Sequence, residues 1–177
     1  MDFREISEFV KDTFKYLVVI VLVLVIMIYV VSLQQVVGPS MSKTLNNKDI
    51  IIIDKLSYRF SEPKRFDIIS FEYAETKYLI KRIIGLPGEH IKYVDGILYI
   101  NDIKYEDKNL LNEITDDFDI KSLGFDVIPD DMYLVLGDNR TNSLDGRSKK
   151  VGLIRKEDII GKSLIRIWPL NGIKVIK

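Results

Sequence analysis

The side chains that could do chemistry in this chain are concentrated in three short stretches. The first, GPSMSKTL (residues 38–45), places Ser40 in a Gly-Pro turn beside Met41. A serine hydroxyl becomes a nucleophile when a neighbouring base takes its proton. The conventional base is a histidine, and the single histidine, His90, follows a Pro-Gly turn that favours the start of a surface strand. A lysine is the established alternative base.

The second stretch, YLIKRIIG, offers such a lysine. If the stretch is a strand, Leu79, Lys81 and Ile83 share one face. A lysine held between two aliphatic side chains has a lowered pKa, because burial disfavours the charged ammonium, and it can then act as a general base. The alternative, which this stretch alone favours, is a surface lysine with its stem on apolar surface and its amine in water.

The third stretch, LGDNRTNSLDGR (residues 136–147), is dense in short polar side chains. A turn accounts for the Gly-Asp-Asn at its start. A turn does not account for the residues that follow, which are Arg140, Asn142, Ser143, Asp145 and Arg147. Asp145 and Arg147 could pair across a bend. The Ser143 hydroxyl could orient a lysine amine, as the third member of a chain of nucleophile, base and orienting group.

A long apolar run directly before Ser40 is the first element that must position these stretches. Residues 16–31 have no polar side chain apart from the tyrosine hydroxyls, and Ser32, Gln34 and Gln35 follow before Val37. A helix needs about 20 residues to cross a bilayer core, which residues 16–37 supply, with the glutamines near one interface. A buried soluble helix would keep a polar stripe, and a cleaved signal peptide would have a shorter run followed by small residues. The sequence therefore predicts an uncleaved transmembrane anchor over residues 16–37. Basic residues before it predict that residues 1–15 are cytoplasmic and that residues 38–177 form an extracytoplasmic catalytic domain on the cell membrane.

The rest of the chain predicts an all-β fold. Short runs rich in β-branched and aromatic residues predict strands over residues 49–56, 66–73, 78–85, 131–138 and 161–170. Asp95-Gly96 predicts a tight hairpin turn, and Asn101-Asp102 a second reversal. Residues 106–131 are acidic and weakly periodic, which indicates a solvated loop with a short helical turn at residues 108–114. The predicted architecture is a set of antiparallel sheets behind one N-terminal transmembrane helix.

The composition excludes several classes of function. The chain has 26 lysines and arginines together and 26 aspartates and glutamates together. The resulting net charge of zero gives no indication of a nucleic-acid partner. The absence of cysteine excludes disulfides, cysteine nucleophiles and thiolate zinc sites. One histidine also makes a histidine-rich metal site improbable.

In order and character, the three stretches resemble the sequence boxes of bacterial type I signal peptidases. GPSMSKTL resembles the nucleophile box, RFDIISF the strand that follows it, YLIKRIIGLPGE the lysine box and GDNRTNSLDGR the last box. Together with the anchor, the resemblance covers nearly the whole chain, and the lysine box and the last box are highly specific in combination. The small size and the single anchor resemble the Gram-positive form.

The resemblance implies the fold, the activity and the site. The fold would be antiparallel β-sheets on a membrane surface, and the activity that of a serine endopeptidase without metal or cofactor. Its partners would be membrane lipid and exported preproteins that carry signal peptides. Ser40 would be the nucleophile, with its own backbone N–H in the oxyanion hole, and Lys81 would replace His90 as the base. Ser143 matches the serine that hydrogen-bonds the lysine, Asp145 and Arg147 the supporting ion pair, and Met41 the residue beside the nucleophile.

Three positions depart from the family pattern. Lys43 stands where a proline is usual, Gly146 where a serine is usual, and Gly38 where some relatives have a serine that assists the oxyanion. Two other functions remain open on the sequence. One is a self-cleaving repressor-type protease, which would need a DNA-binding segment in place of the anchor. The other is an anchored β-domain with an impaired site that binds or chaperones exported proteins.

Overall fold

A computed structural model describes residues 3–74, 77–105 and 115–176. In these residues, helices span α1 (Phe3–Tyr29) and α2 (Ser57–Phe60). The strands are β1 (Val31–Gln35), β2 (Ile50–Asp54), β3 (Ile68–Ala74), β4 (Lys77–Gly85), β5 (Ile91–Val94), β6 (Ile97–Ile100), β7 (Ile103–Lys104), β8 (Phe118–Asp119), β9 (Met132–Leu136), β10 (Ile154–Arg155), β11 (Ile159–Trp168) and β12 (Lys174–Val175). All strand pairs are antiparallel, so the predicted fold class is confirmed.

Helix α1 differs from the predicted anchor at both ends. The part from Ser7 to Tyr29 is long and apolar enough to cross a membrane by length and composition, and its large apolar side chains are exposed. The helix begins well before residue 16 and ends at Tyr29, because the chain then pairs with β2 along the whole of β1. The predicted helix wrongly included residues 31–35, because the apolar run that ends at Val31 was extended through Ser32, Gln34 and Gln35 to reach about 20 residues.

The larger sheet has the strand order β1-β2-β11-β3-β4-β9-β10, with β12 also paired to β11. Strand β1 is therefore an edge strand. The hydroxyl of Ser70 on β3 nevertheless donates to the side chain of Gln34 on β1, at 2.6 Å. Two strands separate β1 from β3 in the sheet order, so the sheet curls and brings its edge over its own inner face. This curl forms the groove in which the site lies.

The smaller sheet, β7-β6-β5-β8, contains the two predicted reversals. Asp95 and Gly96 join β5 to β6 with φ of 51° and 76°, and Asn101 and Asp102 join β6 to β7 with φ of 52° and 65°. Positive φ at both central residues is the geometry that favours Asn, Asp and Gly in two-residue hairpin loops.

The predicted loop over residues 106–131 is partly wrong. Residues 106–114, and with them the predicted helical turn at 108–114, lie outside the described residues. Beyond them the segment is not a solvated loop, because β8 pairs with β5 and a 3-10 turn follows at Ile120–Leu123. Ile120 and Ile128 are buried in the core beneath the smaller sheet. Two-residue strands and single turns are too short to give a periodic pattern.

Candidate active site

The loop that carries Ser40, residues 38–45, is called the serine loop below. It is fixed to the core of the larger sheet. Met41 and Leu45 are buried in the same cluster as Val36 and Ile80. The turn is closed by backbone bonds from Ser42 N to Pro39 O at 2.9 Å and from Leu45 N to Met41 O at 2.8 Å. Ser40 itself is half-buried. Its hydroxyl is therefore held in place while one side stays open.

The structure brings Lys81 to this hydroxyl across 41 positions of sequence. Lys81 Nζ lies 2.8 Å from Ser40 Oγ and 2.9 Å from the carbonyl oxygen of Ile80. Lys81 lies on β4 opposite Ile69 of β3, and it is only 2% exposed. Ile83 and Leu79 lie on either side of it along the strand, and Ile83 is fully buried.

This environment changes the acidity of the amine. Burial lowers the pKa of Lys81 to about 8, while the carboxylates of Asp145 and Asp138 act in the opposite sense. Burial has the larger effect because an ammonium loses its hydration there. A substantial fraction of the amine is therefore neutral in mildly alkaline solution and can accept a proton.

Ser40 and Lys81 together are called the dyad below. The last box supplies an ion pair next to it, between Asp145 and Arg147. Arg147 Nε and Nη2 donate to the two carboxylate oxygens of Asp145 at 3.0 and 2.9 Å. The backbone N–H of Gly137 also donates to Asp145, at 3.0 Å, and Arg147 donates to the carbonyl oxygen of Arg140 at 2.6 Å. A bidentate pair of this kind gives geometric specificity as well as energy. It connects the end of β9 to the loop that returns to β10.

Ser143 lies in the site without the predicted hydrogen bond. Its buried hydroxyl has no hydrogen-bond partner among the described residues. It packs against Gly137, where an added Cβ would lie 2.1 Å from Ser143 Oγ and 2.6 Å from Ser40 O. A side chain at position 137 would therefore displace both the serine loop and Ser143, so the glycine is needed for this close approach.

Sequence reasoning missed a second ion pair, because Gly-Asp-Asn at residues 137–139 was interpreted as a turn. Asp138 is fully buried, and its carboxylate receives two hydrogen bonds of 2.8 Å from Arg82, the neighbour of Lys81. The hydroxyl of Thr44 donates to the same carboxylate, and Asp138 N donates to Met41 Sδ at 3.4 Å. Asp138 therefore ties β4 to the serine loop. The signal available in the sequence was an arginine beside the candidate base and an aspartate in the last box.

Asn139 was missed for the same reason. Its backbone N–H donates to Ser40 O at 3.0 Å, and its side-chain amide donates to Pro39 O and to Ser42 Oγ at 3.2 and 3.0 Å. These three bonds hold the backbone on both sides of the nucleophile candidate. The last box thus positions the serine loop as well as the lysine.

His90 lies in the smaller sheet, where its Nε2 is 3.0 Å from Asp119 Oδ1. It makes no hydrogen bond to Ser40 or Lys81 in the part of the chain that the structure describes. The described residues also contain no group of three or more His, Cys, Asp or Glu side chains that could hold a metal ion.

The three departures from the family pattern have local explanations. Lys43 has a φ of 107°, which proline cannot adopt because its ring fixes φ near −65°. A Cβ on Gly146 would lie 2.8 Å from Val135 O and 2.9 Å from Leu134 Cδ1, so a serine does not fit there without a shift. Gly38 has a φ of +86° with open space around it, and its N–H donates to Asn47 Oδ1 at 3.0 Å.

A groove of about 950 Å³ opens beside the dyad. One wall is the free edge of β1, and the other is the first half of β4, whose ladder to β9 begins only at Arg82. On that second edge, residues 77–81 pair with no strand in the described ranges. Two unpaired strand edges face each other across a space that can receive an extended peptide.

A buried lysine within hydrogen-bonding distance of a serine, on a β-fold behind an apolar helix, is the arrangement expected of serine hydrolases that use a lysine base. The family described as "Signal peptidase, peptidase S26" matches residues 7–168. Signal peptidase I of Bacillus caldolyticus is 36% identical over 165 residues, covering 88% of this chain and 90% of that protein. Signal peptidase IB of Staphylococcus aureus is 30% identical over 181 residues, covering 93% and 94%.

A solved structure is also similar. The crystal structure of a signal peptidase I from Enterococcus faecalis shares 36% identity and a TM-score of 0.50, covering 58% of this chain and 97% of that one. The chain belongs to the signal peptidase family, with the bacterial type I enzymes among its relatives. It is therefore placed among hydrolases, as the resemblance of its sequence boxes implied.

Proposed function

We propose that the chain is a membrane-bound serine endopeptidase that removes signal peptides from exported preproteins, with Ser40 as nucleophile and Lys81 as general base. The observation that carries the proposal is the 2.8 Å distance between Lys81 Nζ and Ser40 Oγ at a buried amine. The relatives named above as signal peptidases support the choice of substrate.

The chemistry follows from the protonation of the amine. Neutral Lys81 accepts the hydroxyl proton as Ser40 Oγ attacks the scissile carbonyl carbon, and the carbonyl oxygen becomes an oxyanion near the backbone N–H of Ser40. The ammonium then gives its proton to the departing amine of the mature protein, which leaves an ester on Ser40. A water molecule then loses a proton to neutral Lys81 and attacks the ester carbonyl. The bond to Ser40 Oγ breaks, the Lys81 ammonium returns the proton to Ser40, and the signal peptide is released as an acid.

Ser143, Asp145 and Arg147 are positioning residues in this proposal, and Met41 anchors the serine loop. A buried hydroxyl without a partner costs stability, so the presence of this hydroxyl beside the site supports a role in aiming the Lys81 amine during turnover. The Asp145–Arg147 pair holds the loop that carries Ser143.

The substrate would lie as an extended strand in the groove between β1 and β4. Main-chain hydrogen bonds to the two open edges would supply affinity, and pockets for alternate side chains would supply specificity. Beside Ser40 the floor consists of Val36, Met41 and Ile80, which are buried and close-packed. A shallow apolar floor favours a small side chain in the residue before the cut.

The membrane supplies the second partner. Residues 1–15 would be cytoplasmic, α1 would cross the bilayer up to Tyr29, and the sheets would lie outside. The outer face of the larger sheet carries an apolar row formed by directly opposed residues, Leu33, Ile52, Ile165 and Val175. Leu33 and Val175 are 51% and 64% exposed, and β1 follows α1 after one residue. Contact of this row with lipid would bury it and would keep Ser40 near the membrane surface.

Two experiments test the proposal. Detergent-solubilised protein is incubated with a model precursor, and the product's new N-terminus is identified. We expect cleavage after the signal peptide by the wild type and none by Ser40→Ala, whereas binding without cleavage by both would indicate the anchored binding domain instead.

A protease added outside intact cells should degrade the chain beyond Tyr29, and protection until lysis would reverse the proposed orientation.

A further inference from the structure

Gln34 places a polar side chain in the floor of a groove that is otherwise apolar near the nucleophile. Successive side chains of a strand point to opposite faces. Leu33 and Val37 point outward and are 51% and 82% exposed, whereas Gln34 and Val36 point to the inner face of the curled sheet. Gln34 lines the same groove as Ser40 and Lys81.

The side-chain amide of Gln34 is held at one end only. Ser70, which is fully buried, donates its hydroxyl to Gln34 Oε1 at 2.6 Å. Ser70 lies opposite Ile80 of β4, so it belongs to the floor of the groove. The amide nitrogen of Gln34 donates to none of the described residues. Its N–H groups are therefore available to a bound molecule.

The register of a bound peptide decides which of its residues meets this amide. The apolar part of a signal peptide lies in the bilayer, and β1 runs from the end of α1 towards Ser40. Upstream residues of the substrate therefore lie over the part of β1 nearer to α1. Val36 lies beside Ser40, and Gln34 lies two residues closer to α1, at about 6.6 Å along the strand. The same spacing separates alternate side chains of an extended substrate.

We propose that Gln34 is a specificity-determining residue that reads the substrate side chain three positions before the scissile bond and favours serine or threonine there over valine. The inference rests on the function proposed above. A substrate hydroxyl accepts a hydrogen bond from the free amide N–H. An aliphatic side chain would cover the amide N–H and leave it without a hydrogen-bond acceptor. Sites built around a hydrogen bond discriminate against analogues that lack the matching group.

The test uses full-length protein in detergent and three precursors that differ only at this position, which carries alanine, serine or valine. For the wild type we expect kcat/KM for the serine precursor to exceed that for the valine precursor by about tenfold, the value of one hydrogen bond. In Gln34→Leu the ratio should fall to one or below. In Ser70→Ala the amide is free to turn, and the ratio should fall between these values.

Gln35→Leu is the matched control, because Gln35 borders the same groove but is exposed and its side chain lies on the opposite face of β1; it should keep the wild-type ratio. A wild-type ratio near one, or an unchanged ratio in Gln34→Leu, would overturn the inference while leaving the proposed function intact. Failure of the wild type to cleave any of the three precursors would contradict the proposed function and this inference together.

Discussion

The amine of Lys81 and the hydroxyl of Ser40 are 2.8 Å apart, although they come from different elements and 41 positions of sequence separate them. Two ion pairs, each with a buried aspartate, lie next to this contact. Asp138 joins Arg82 to the serine loop, and Asp145 joins Arg147 to the end of β9. Removing one partner of such a pair leaves a buried charge uncompensated. The ion pairs therefore fix the elements around both Lys81 and Ser40.

Ser143→Ala should separate a functional role from a structural one. The buried Ser143 hydroxyl has no partner among the described residues, so its removal should raise the free energy of unfolding by about 1 kcal/mol. The same change should lower kcat more than it changes KM, and Ser143→Thr, which keeps the hydroxyl, should retain more activity. Thermal unfolding and steady-state kinetics on the three proteins measure this. Turnover by Ser143→Ala equal to wild type would remove Ser143 from the site.

Lys81→Met should stabilise the protein in a pH-dependent way. The pKa of Lys81 falls from 10.5 to about 8 on folding. Below pH 8 the amine is protonated in both states, so the folded state bears the whole cost of burying the charge. Above pH 10.5 the amine is neutral in both states and the cost is absent. The gain from Lys81→Met should therefore be about 3 kcal/mol at pH 7 and fade between pH 8 and 10.5.

Unfolding of the full chain in detergent across this pH range measures the gain. Lys149→Met provides the control, because Lys149 is exposed and lies outside the site. A gain that is the same at pH 7 and pH 10.5 would show that Lys81 does not titrate with a lowered pKa.

Lys43→Pro and Lys43→Gly should have opposite outcomes. The φ of 107° at Lys43 suits glycine and is closed to proline. Lys43→Gly should keep precursor cleavage, whereas Lys43→Pro should shift the serine loop and lower kcat/KM at least tenfold. Full activity in Lys43→Pro would show that the loop adopts the proline-compatible form in solution.

Gly146→Ser should not improve the enzyme, although a serine is usual at this position in the family. The added Cβ would lie 2.8 Å from Val135 O, and overpacking of this kind costs about 1–3 kcal/mol. We expect a lower melting temperature and no gain in turnover. Higher activity at unchanged stability would indicate that the backbone near Gly146 is free to move and that the missing hydroxyl matters.

Much of the fold could be predicted because local chemistry determines it. Asp95-Gly96 can form a two-residue hairpin loop, and the β-branched runs became β2, β3, β4, β9 and β11. The end of the helix was misplaced because the prediction extended the apolar run of residues 16–31 through Ser32, Gln34 and Gln35 to reach the length of a bilayer span. Val31–Gln35 is instead a strand, and it depends on pairing with β2. Residues 115–131 were misjudged because Ile120 and Ile128 are buried by contacts distant in sequence.

The site likewise contains residues that could be predicted from the sequence and residues that could not. Ser40 and Lys81 could be selected from residue type and from their boxes, and the structure places them in contact. The function of Asp138 and Asn139 could not be predicted, because an aspartate and an asparagine after a glycine have the composition of any turn. Their partners, Arg82 and the backbone of Ser40, become visible only when the sheet brings β4 and β9 beside the serine loop.

The pH dependence of single-turnover cleavage tests the lysine base most directly. Only neutral Lys81 can take the proton of Ser40, so the rate should rise with pH and level off above an apparent pKa of about 8. His90→Ala should give the same profile, since His90 contacts Asp119 rather than the dyad. A rate that levels off above about pH 6.5, the ordinary pKa of a histidine, and that is lost in His90→Ala would contradict Lys81 as the base.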